Sequence, residues 1–178
     1  FTMRYKFVSL VENEILAAQA GKEAYIIMKM NSLQDKNMIK LLYEASQKGV
    51  QIRLLVRGIC SLVPGIKGQS ENIYITSILD RFLEHGRIYI FGNGGEEKMY
   101  IGSADWMTRN LSHRIEVVTP ILDPDHFKTI RDVIDIQLKD NVKARIIDAE
   151  QTNAYVKNDE PEIRSQYATY DYFKNIKQ

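Results

Sequence analysis

Ala24-Tyr-Ile-Ile-Met-Lys-Met30, Ser32-Leu-Gln-Asp35 and Val50-Gln-Ile-Arg-Leu-Leu-Val56 decide how this chain folds. The first and third segments are short and nearly all apolar, the pattern of strands covered on both faces. The segment between them has capping-box form, Ser32 as the cap and Asp35 in place of the usual Glu at the third helical position. Met38, Ile39, Leu42 and Ala45 then share a face at helical spacing, and Lys48-Gly49 supplies the stop. Strand, helix and strand in so few residues make a βαβ unit, which requires parallel strands joined by a right-handed crossover.

Working outward, Phe7, Val8, Val11, Ile15 and Ala18 line one face of a preceding helix that Gly21 ends. The loop over 57–72, with Gly58, Pro64, Gly65 and Gly68, lies past the carboxyl end of the second strand, the edge where open α/β sheets bind ligands. Residues 73–77 read as a further short strand and 78–84 as a helical turn or two. Residues 87–91 and 98–101 flank Gly92-Asn-Gly-Gly95, a hairpin signal. Arg114-Ile-Glu-Val-Val-Thr119 alternates like a strand, and Asp123-Pro124 starts a helix with Phe127, Ile130, Ile134 and Leu138 on one face. Val142, Ala144 and Ile146 alternate once more. Residues 148–160 are polar and read as a linker. Pro161 opens a last helix, to residue 177, whose stripe of Ile163, Tyr167, Tyr170 and Phe173 reads as packing. The whole of 1–178 is expected to form a single α/β domain, a mixed sheet flanked by helices.

At 178 residues the chain is long enough to bury a core, and 44% hydrophobic with 26% charged residues is ordinary for a globular domain. A net charge of +1 supplies no field that would argue for a nucleic acid or an anionic membrane. Between residues 45 and 70, Lys48, Arg53, Arg57 and Lys67 stand without an acid, which suits an anionic ligand as well as a solvated basic face. Cys60 is the only cysteine, so there is no intrachain disulfide framework, and a reducing compartment fits. No signal peptide is read, and no apolar run approaches a bilayer span. The opening Phe1-Thr-Met-Arg-Tyr-Lys-Phe7 goes directly into a helical pattern, as a fragment of a larger protein would.

The chemistry gathers around the hairpin. His85 and Arg87 stand two residues apart at the mouth of one strand, and its partner strand ends in Gly102-Ser103. Histidine can exchange a proton near neutral pH or attack phosphorus. Arg57 and Arg87 could hold phosphate oxygens by bidentate contacts, and Ser103 could donate to the same oxygens. Taken singly, such a histidine is more often a cap or a satisfied core group, and an arginine in a strand is usually an ion-pair partner. Asp105, Arg109, Asn110, His113 and Arg114 set much polarity beside Trp106, as a site wall or as a capped, exposed turn. The Gly92 cluster lacks the Lys-Ser/Thr and helix of a phosphate loop. His126 reads as solvated, and no Cys/His spacing suggests zinc.

His85-x-Arg87, a hairpin and then Ile101-Gly-Ser-Ala-Asp105 resemble the phospholipase D-type signature, in which His-x-Lys precedes a Gly-Ser-x-x-Asn turn. Here Arg replaces Lys, Asp105 stands where Asn is usual, and Gly92 falls near the place of the signature's acid. A longer resemblance accounts for the departures. Leu55-Val-Arg-Gly-Ile-Cys-Ser-Leu-Val-Pro-Gly65, Arg81-Phe-Leu-Glu-His-Gly-Arg-Ile-Tyr89 and Gly102-Ser-Ala-Asp-Trp-Met-Thr-Arg-Asn-Leu111 are similar to the C-terminal part of bacterial polyphosphate kinases. Arg114-Ile-Glu-Val-Val-Thr-Pro-Ile-Leu-Asp-Pro124 and Val142-Lys-Ala-Arg145 continue the match, which runs from near Tyr5 to near Lys174.

That resemblance implies the second of two phospholipase D-like C-terminal domains, in an enzyme that reversibly moves the terminal phosphate of ATP onto polyphosphate. It implies a phosphohistidine in the sister domain, absent from this chain, and magnesium bound with ATP, for which no ligand is assigned here. His85 matches the family's second histidine, implied to assist transfer as a general acid and to bind ATP, and Arg57 matches an ATP-contacting arginine. Arg87, Ser103, Asp105 and Arg109 occupy motif positions and are candidate phosphate contacts. The partners implied are ATP/ADP, polyphosphate, the other domains of the polypeptide and further copies in a homo-oligomer, with no nucleic acid. The location implied is cytoplasmic, with membrane association open to the full-length enzyme. The isolated domain is expected to be inactive. Two readings stay open beside this one: a phosphodiesterase that completes its site by pairing two His85 motifs, and a non-catalytic nucleotide- or polyphosphate-binding module.

Overall fold

The computed structural model describes residues 2–176. Helix α1 (Thr2–Gln19) leads into β1 (Tyr25–Met30), α2 (Lys36–Gln47) and β2 (Gln51–Val56), and the two strands pair in parallel with Met30 opposite Val56. Strand β3 (Ile73–Ile78) continues in parallel beside β2. The expected hairpin forms from β4 (Arg87–Phe91) and β5 (Lys98–Gly102), with a 3-10 turn at Asn93–Gly95. Helix α3 (Thr108–Ser112), β6 (Val118–Pro120), α4 (Pro124–Leu138), β7 (Ala144–Ile147) and α5 (Ser165–Ile176) complete the chain. The sheet has seven strands in the order β6-β5-β4-β1-β2-β3-β7; β4 enters antiparallel to β1 and β7 antiparallel to β3.

The apolar runs behave as strands covered on both faces must. Ile26, Met28 and Met30 turn to the side of α1 and α2, where Phe7, Leu10, Val11, Met38 and Leu42 meet Tyr89, Phe91 and Trp106. Ile27, Leu55 and Ile90 turn to the other side, under Phe127, Ile130, Ile134 and Leu138 of α4. Burial on both faces fixes the register, because a slip by one residue would exchange the two faces of every strand.

The structure corrects several sequence expectations. The N-cap of α2 is Asp35, whose carboxylate accepts from the Asn37 and Met38 amides, and Ser32 does not cap it. Residues 32–35 are occupied elsewhere: the Leu33 amide donates to the Ile59 carbonyl, and those of Gln34 and Asp35 to the Trp106 carbonyl, so the helix starts only beyond them. Residues 79–84 form no helical turn, because Asp80, Phe82 and Glu84 are each held in an extended path by distant polar partners. Pairing of the sixth strand starts at Val118 and not at Arg114, since β5 ends at Gly102 and beyond it only Ser103 reaches across, to Val117. Helix α5 starts at Ser165 and not at Pro161, because Asn141 already holds the backbone of Glu160, Pro161 and Ile163. Its Tyr167, Tyr170 and Phe173 are 41%, 67% and 42% exposed, so that stripe is surface and not packing. The polar stretch after β7 runs back along it, with Tyr155 opposite Arg145. Residue 177 of the expected last helix lies outside the described residues.

Candidate functional site

Parallel β1 and β2 and antiparallel β4 and β5 bring four strand ends to one edge of the sheet. The carboxyl ends of β1 and β2 deliver Asn31 and Arg57, the start of β4 delivers His85 and Arg87, and the end of β5 delivers Ser103 and Asp105. This is the edge where ligands bind in open α/β folds. The chain can turn immediately after Arg57 because residue 58 is glycine: a Cβ there would stand 2.8 Å from the Asn31 carbonyl oxygen.

Arg57 and His85 meet. The Arg57 Nε donates to Asn31 Oδ1 at 2.5 Å, and its Nη2 lies 3.0 Å from His85 Nδ1. A guanidinium can only donate, so Nδ1 is the acceptor and the proton of the neutral ring sits on Nε2. Arg57 also spends only two of its five N–H groups in this way. His85 is exposed. The pair therefore presents a guanidinium fork and an imidazole N–H side by side, all donors, at an open edge.

Arg87 lies on the same strand end with a different occupation. Its Nε and Nη2 donate to the two oxygens of Asp105 at 3.3 and 3.1 Å, and its Nη1 to the His85 carbonyl at 3.0 Å. The Arg87 and Asp105 side chains are only 11% and 7% exposed. Asp105 further accepts from the Asn31 and Ser32 amides at 2.8 and 3.1 Å, tying the end of β1 to the end of β5. Beneath them the Tyr89 hydroxyl donates to the Ala104 carbonyl, and burial, with the Asp105 carboxylate beside it, pushes that phenol well above its ordinary range. Ser103 donates to Glu116 and accepts from the Val117 amide. Arg109 is exposed on α3, its side chain without a hydrogen-bond or ion-pair partner among the described residues. Trp106 is fully buried, edge-on to Phe7 at 5.3 Å, so it is neither a site wall nor an exposed turn. His126 is solvated as expected, beside its cap Asp123.

The sequence model of the family described as polyphosphate kinase C-terminal domain 2 matches residues 1–166. The chain belongs to the polyphosphate kinase family. It is 52% identical over 174 residues to a polyphosphate kinase of Vibrio parahaemolyticus, covering 97% of this chain and 25% of the relative. It therefore spans about a quarter of the length of the curated relatives it matches. The crystal structure of the polyphosphate kinase from Porphyromonas gingivalis superposes with a TM-score of 0.96 at 49% identity, over 99% of this chain and 27% of that one. Nuc from Salmonella typhimurium, a phospholipase D family member, superposes with a TM-score of 0.53 at 14% identity, over 76% of this chain and 89% of that one. At that identity the likeness speaks for the fold alone, and the fold is the phospholipase D-like mixed sheet.

A polyphosphate kinase domain raises the question of magnesium. Among the described residues no three His, Cys, Asp or Glu side chains come together as a metal site would need. Asp105 and Glu84, the carboxylates described at this edge, are both already engaged by cations, Arg87 and Lys29. These residues do not fit a protein-held magnesium ion.

Asn31, Glu84 and Gln166 belong to the neighbourhood of His85 and were not singled out from the sequence. Asn31 was the findable one, since it is the first residue past an apolar strand at the ligand-binding edge. The other two carry no local signal.

Proposed function

We propose that this chain acts as the second C-terminal domain of a larger polyphosphate kinase and supplies the phosphate-binding, transfer-assisting half of a shared site. In this reading a histidine nitrogen of the sister domain attacks the terminal phosphorus of ATP. A nitrogen–phosphorus bond forms, the bridging phosphorus–oxygen bond breaks, and the electron pair leaves on the terminal oxygen of ADP. A terminal oxygen of polyphosphate then takes the phosphoryl group from that histidine. Arg57 holds the nucleotide phosphates, and the His85 Nε2–H stabilises or protonates the oxygen on which charge develops. Phosphoryl transfer depends mainly on such positioning and charge stabilisation.

One observation carries the reading: His85 Nδ1 accepts from Arg57 at 3.0 Å. A neutral ring held in this way keeps its proton on Nε2, the nitrogen not taken by Arg57, which suits a donor and leaves no lone pair there to attack phosphorus. It speaks for an assisting histidine and for a nucleophile elsewhere. It also weighs against a free-standing phosphodiesterase, as does Gly92, where a Cβ would stand 2.8 Å from the Tyr25 ring and leave no room for an acid. Magnesium enters the proposal only as a companion of the nucleotide, and no step is routed through it. The proposed partners are ATP or ADP, polyphosphate, the sister domains and further copies of the enzyme. The proposed setting is cytoplasmic; no helix of the described residues is long and apolar enough to cross a membrane.

The test is steady-state kinetics on the full-length enzyme. His85→Ala is expected to lower kcat about 10²-fold or more, the range of a lost acid–base group. Arg57→Ala is expected chiefly to raise KM for ATP. Unchanged constants in either variant would refute that residue's role, and polyphosphate synthesis by the isolated domain would refute the absent nucleophile.

A further inference from the structure

Residues 79–86 carry His85 to the site without belonging to any helix or strand, so their path must be set by something other than a backbone ladder. Alternate residues of the segment are fastened, and most of the fastening comes from one place. Arg164 grips Asp80 with two charge-assisted hydrogen bonds, Nε to Oδ2 at 2.8 Å and Nη2 to Oδ1 at 2.6 Å. The Gln166 amide pairs with the backbone of Phe82 as a neighbouring strand would: its Oε1 accepts from the Phe82 N–H at 2.9 Å and its Nε2 donates to the Phe82 carbonyl at 2.8 Å. The same Nε2 donates to Glu84 Oε1 at 2.9 Å. Glu84 Oε2 is taken by Gln137 Nε2 at 2.8 Å and by Lys29 of β1. Between these anchors Arg81, Leu83 and His85 face outward.

The base of α5, which carries Gln166, is itself fixed. Asp140 accepts the Ser165 amide at 2.7 Å while its other oxygen accepts from Val142, Lys143 and Ala144. About two turns further on, Tyr172 donates to Asp132 of α4 at 2.7 Å. Gln166 thus transmits a rigid frame to the residue directly before His85. Only an amide can serve the carbonyl and the N–H of Phe82 at once; a carboxylate keeps one of those bonds, and an alkyl group neither.

We infer that Gln166 is a positioning residue for His85, holding the imidazole within reach of Arg57 and of the reacting phosphate. The inference rests on the functional reading above and adds to it the part of the chain that sets the histidine's place. Gln166 touches neither His85 nor the site, and it acts through Phe82 and Glu84.

The experiment is a double-mutant cycle in the full-length enzyme with His85→Ala and Gln166→Leu. Gln166→Leu is expected to lower kcat about tenfold or more, since a displacement near 1 Å can cost that much. KM for ATP should move by less than about threefold, because Arg57 follows directly on β2 and is held by Asn31, not by the clamp. Added to His85→Ala, Gln166→Leu should cost nothing further, as non-additivity between coupled groups requires. Losses that multiply, or full kcat in Gln166→Leu, would overturn the inference while leaving His85 in its role. Full activity in His85→Ala would sink the functional reading and the inference with it. Should Gln166→Leu fail to fold, Gln166→Glu serves in its place. It sets two carboxylates against each other and should lose activity, and Glu84→Gln in the same enzyme, which lifts the repulsion but not the missing bond to the Phe82 carbonyl, should recover part of the loss. A swap that recovers nothing also overturns the inference.

Discussion

Arg57 and Arg87 both reach His85, one by its ring and the other by its carbonyl, yet they stand in opposite conditions. Arg87 is sunk between strands and gives its donors to Asp105 and the His85 backbone, while Asp105 in turn collects two amides from the end of β1. Arg57 stands at the rim with most of its N–H groups uncommitted. The same side chain therefore serves as a weld in one place and as an open hand in the other. The difference lies in whether a buried carboxylate is within reach. A guanidinium saturated by a carboxylate has little left for a phosphate, whereas one anchored by neutral acceptors keeps its full charge for an incoming anion.

This contrast breaks most sharply under substitution of the welded arginine. Arg87→Ala leaves the Asp105 carboxylate buried without its cation and is expected to cost about 3–5 kcal/mol of folding stability. Arg57→Ala should cost less, about 1–2 kcal/mol, since its two hydrogen bonds go to neutral acceptors at an open edge and its loss strands no buried charge. Denaturant melts of the two variants of the isolated domain would measure both, and equal losses would erase the distinction. A second weld sharpens it. Arg4 donates to both oxygens of Asp35 at 2.9 and 2.7 Å, and Thr108 adds a third bond. Burial alone would push the Asp35 carboxyl up, but Arg4, the Met38 amide and Thr108 outweigh it and hold the value at about 2, against an ordinary 3.8. A depressed value means stability that is present above about pH 4 and is lost as the pH falls towards 2, worth about 2 kcal/mol when full. Asp35→Asn should be less stable than the parent at pH 7, with the gap closing between pH 4 and 2; a gap independent of pH would contradict the assignment. The smallest effect belongs to Ser103. It is exposed and tied to Glu116, so Ser103→Ala should change stability by less than about 1 kcal/mol. It should leave KM for ATP within about twofold, and a larger kinetic change would return Ser103 to the open half of the site.

The parts of the fold legible in the sequence were those set by local periodicity. The βαβ unit, the hairpin over Gly92–Gly95 and the helix opened at Asp123-Pro124 all appear where their patterns place them. The departures share a physical cause. Ser32, residues 78–84 and Pro161 each carry acceptable local signals for helix, and in each case groups from other parts of the chain claim the segment first. The site divides in the same manner. His85, Arg57 and Arg87 were visible as residue types at the mouths of strands, but nothing in the string distinguishes the arginine that meets a carboxylate from the one that meets a histidine. That distinction needs the 18-residue separation of Arg87 from Asp105 and the 28-residue separation of Arg57 from His85 to be closed by the sheet. Gln166, more than 80 residues from the loop it holds, is further still from any local signal.

One buried carboxylate gives the domain a timetable. Glu14, fully enclosed on α1, accepts from the amides of Tyr25 at the head of β1 and Asn93 in the hairpin turn, the second 79 residues away. At roughly 5–20 residues per second of synthesis, about 4–16 seconds separate the appearance of the two groups. Through most of that interval the apolar face of α1, with Phe7, Leu10 and Val11, lacks Tyr89 and Phe91 of β4, which complete the core around it. On a ribosome, then, the carboxylate of the first helix has both of its partners only once the hairpin has been made.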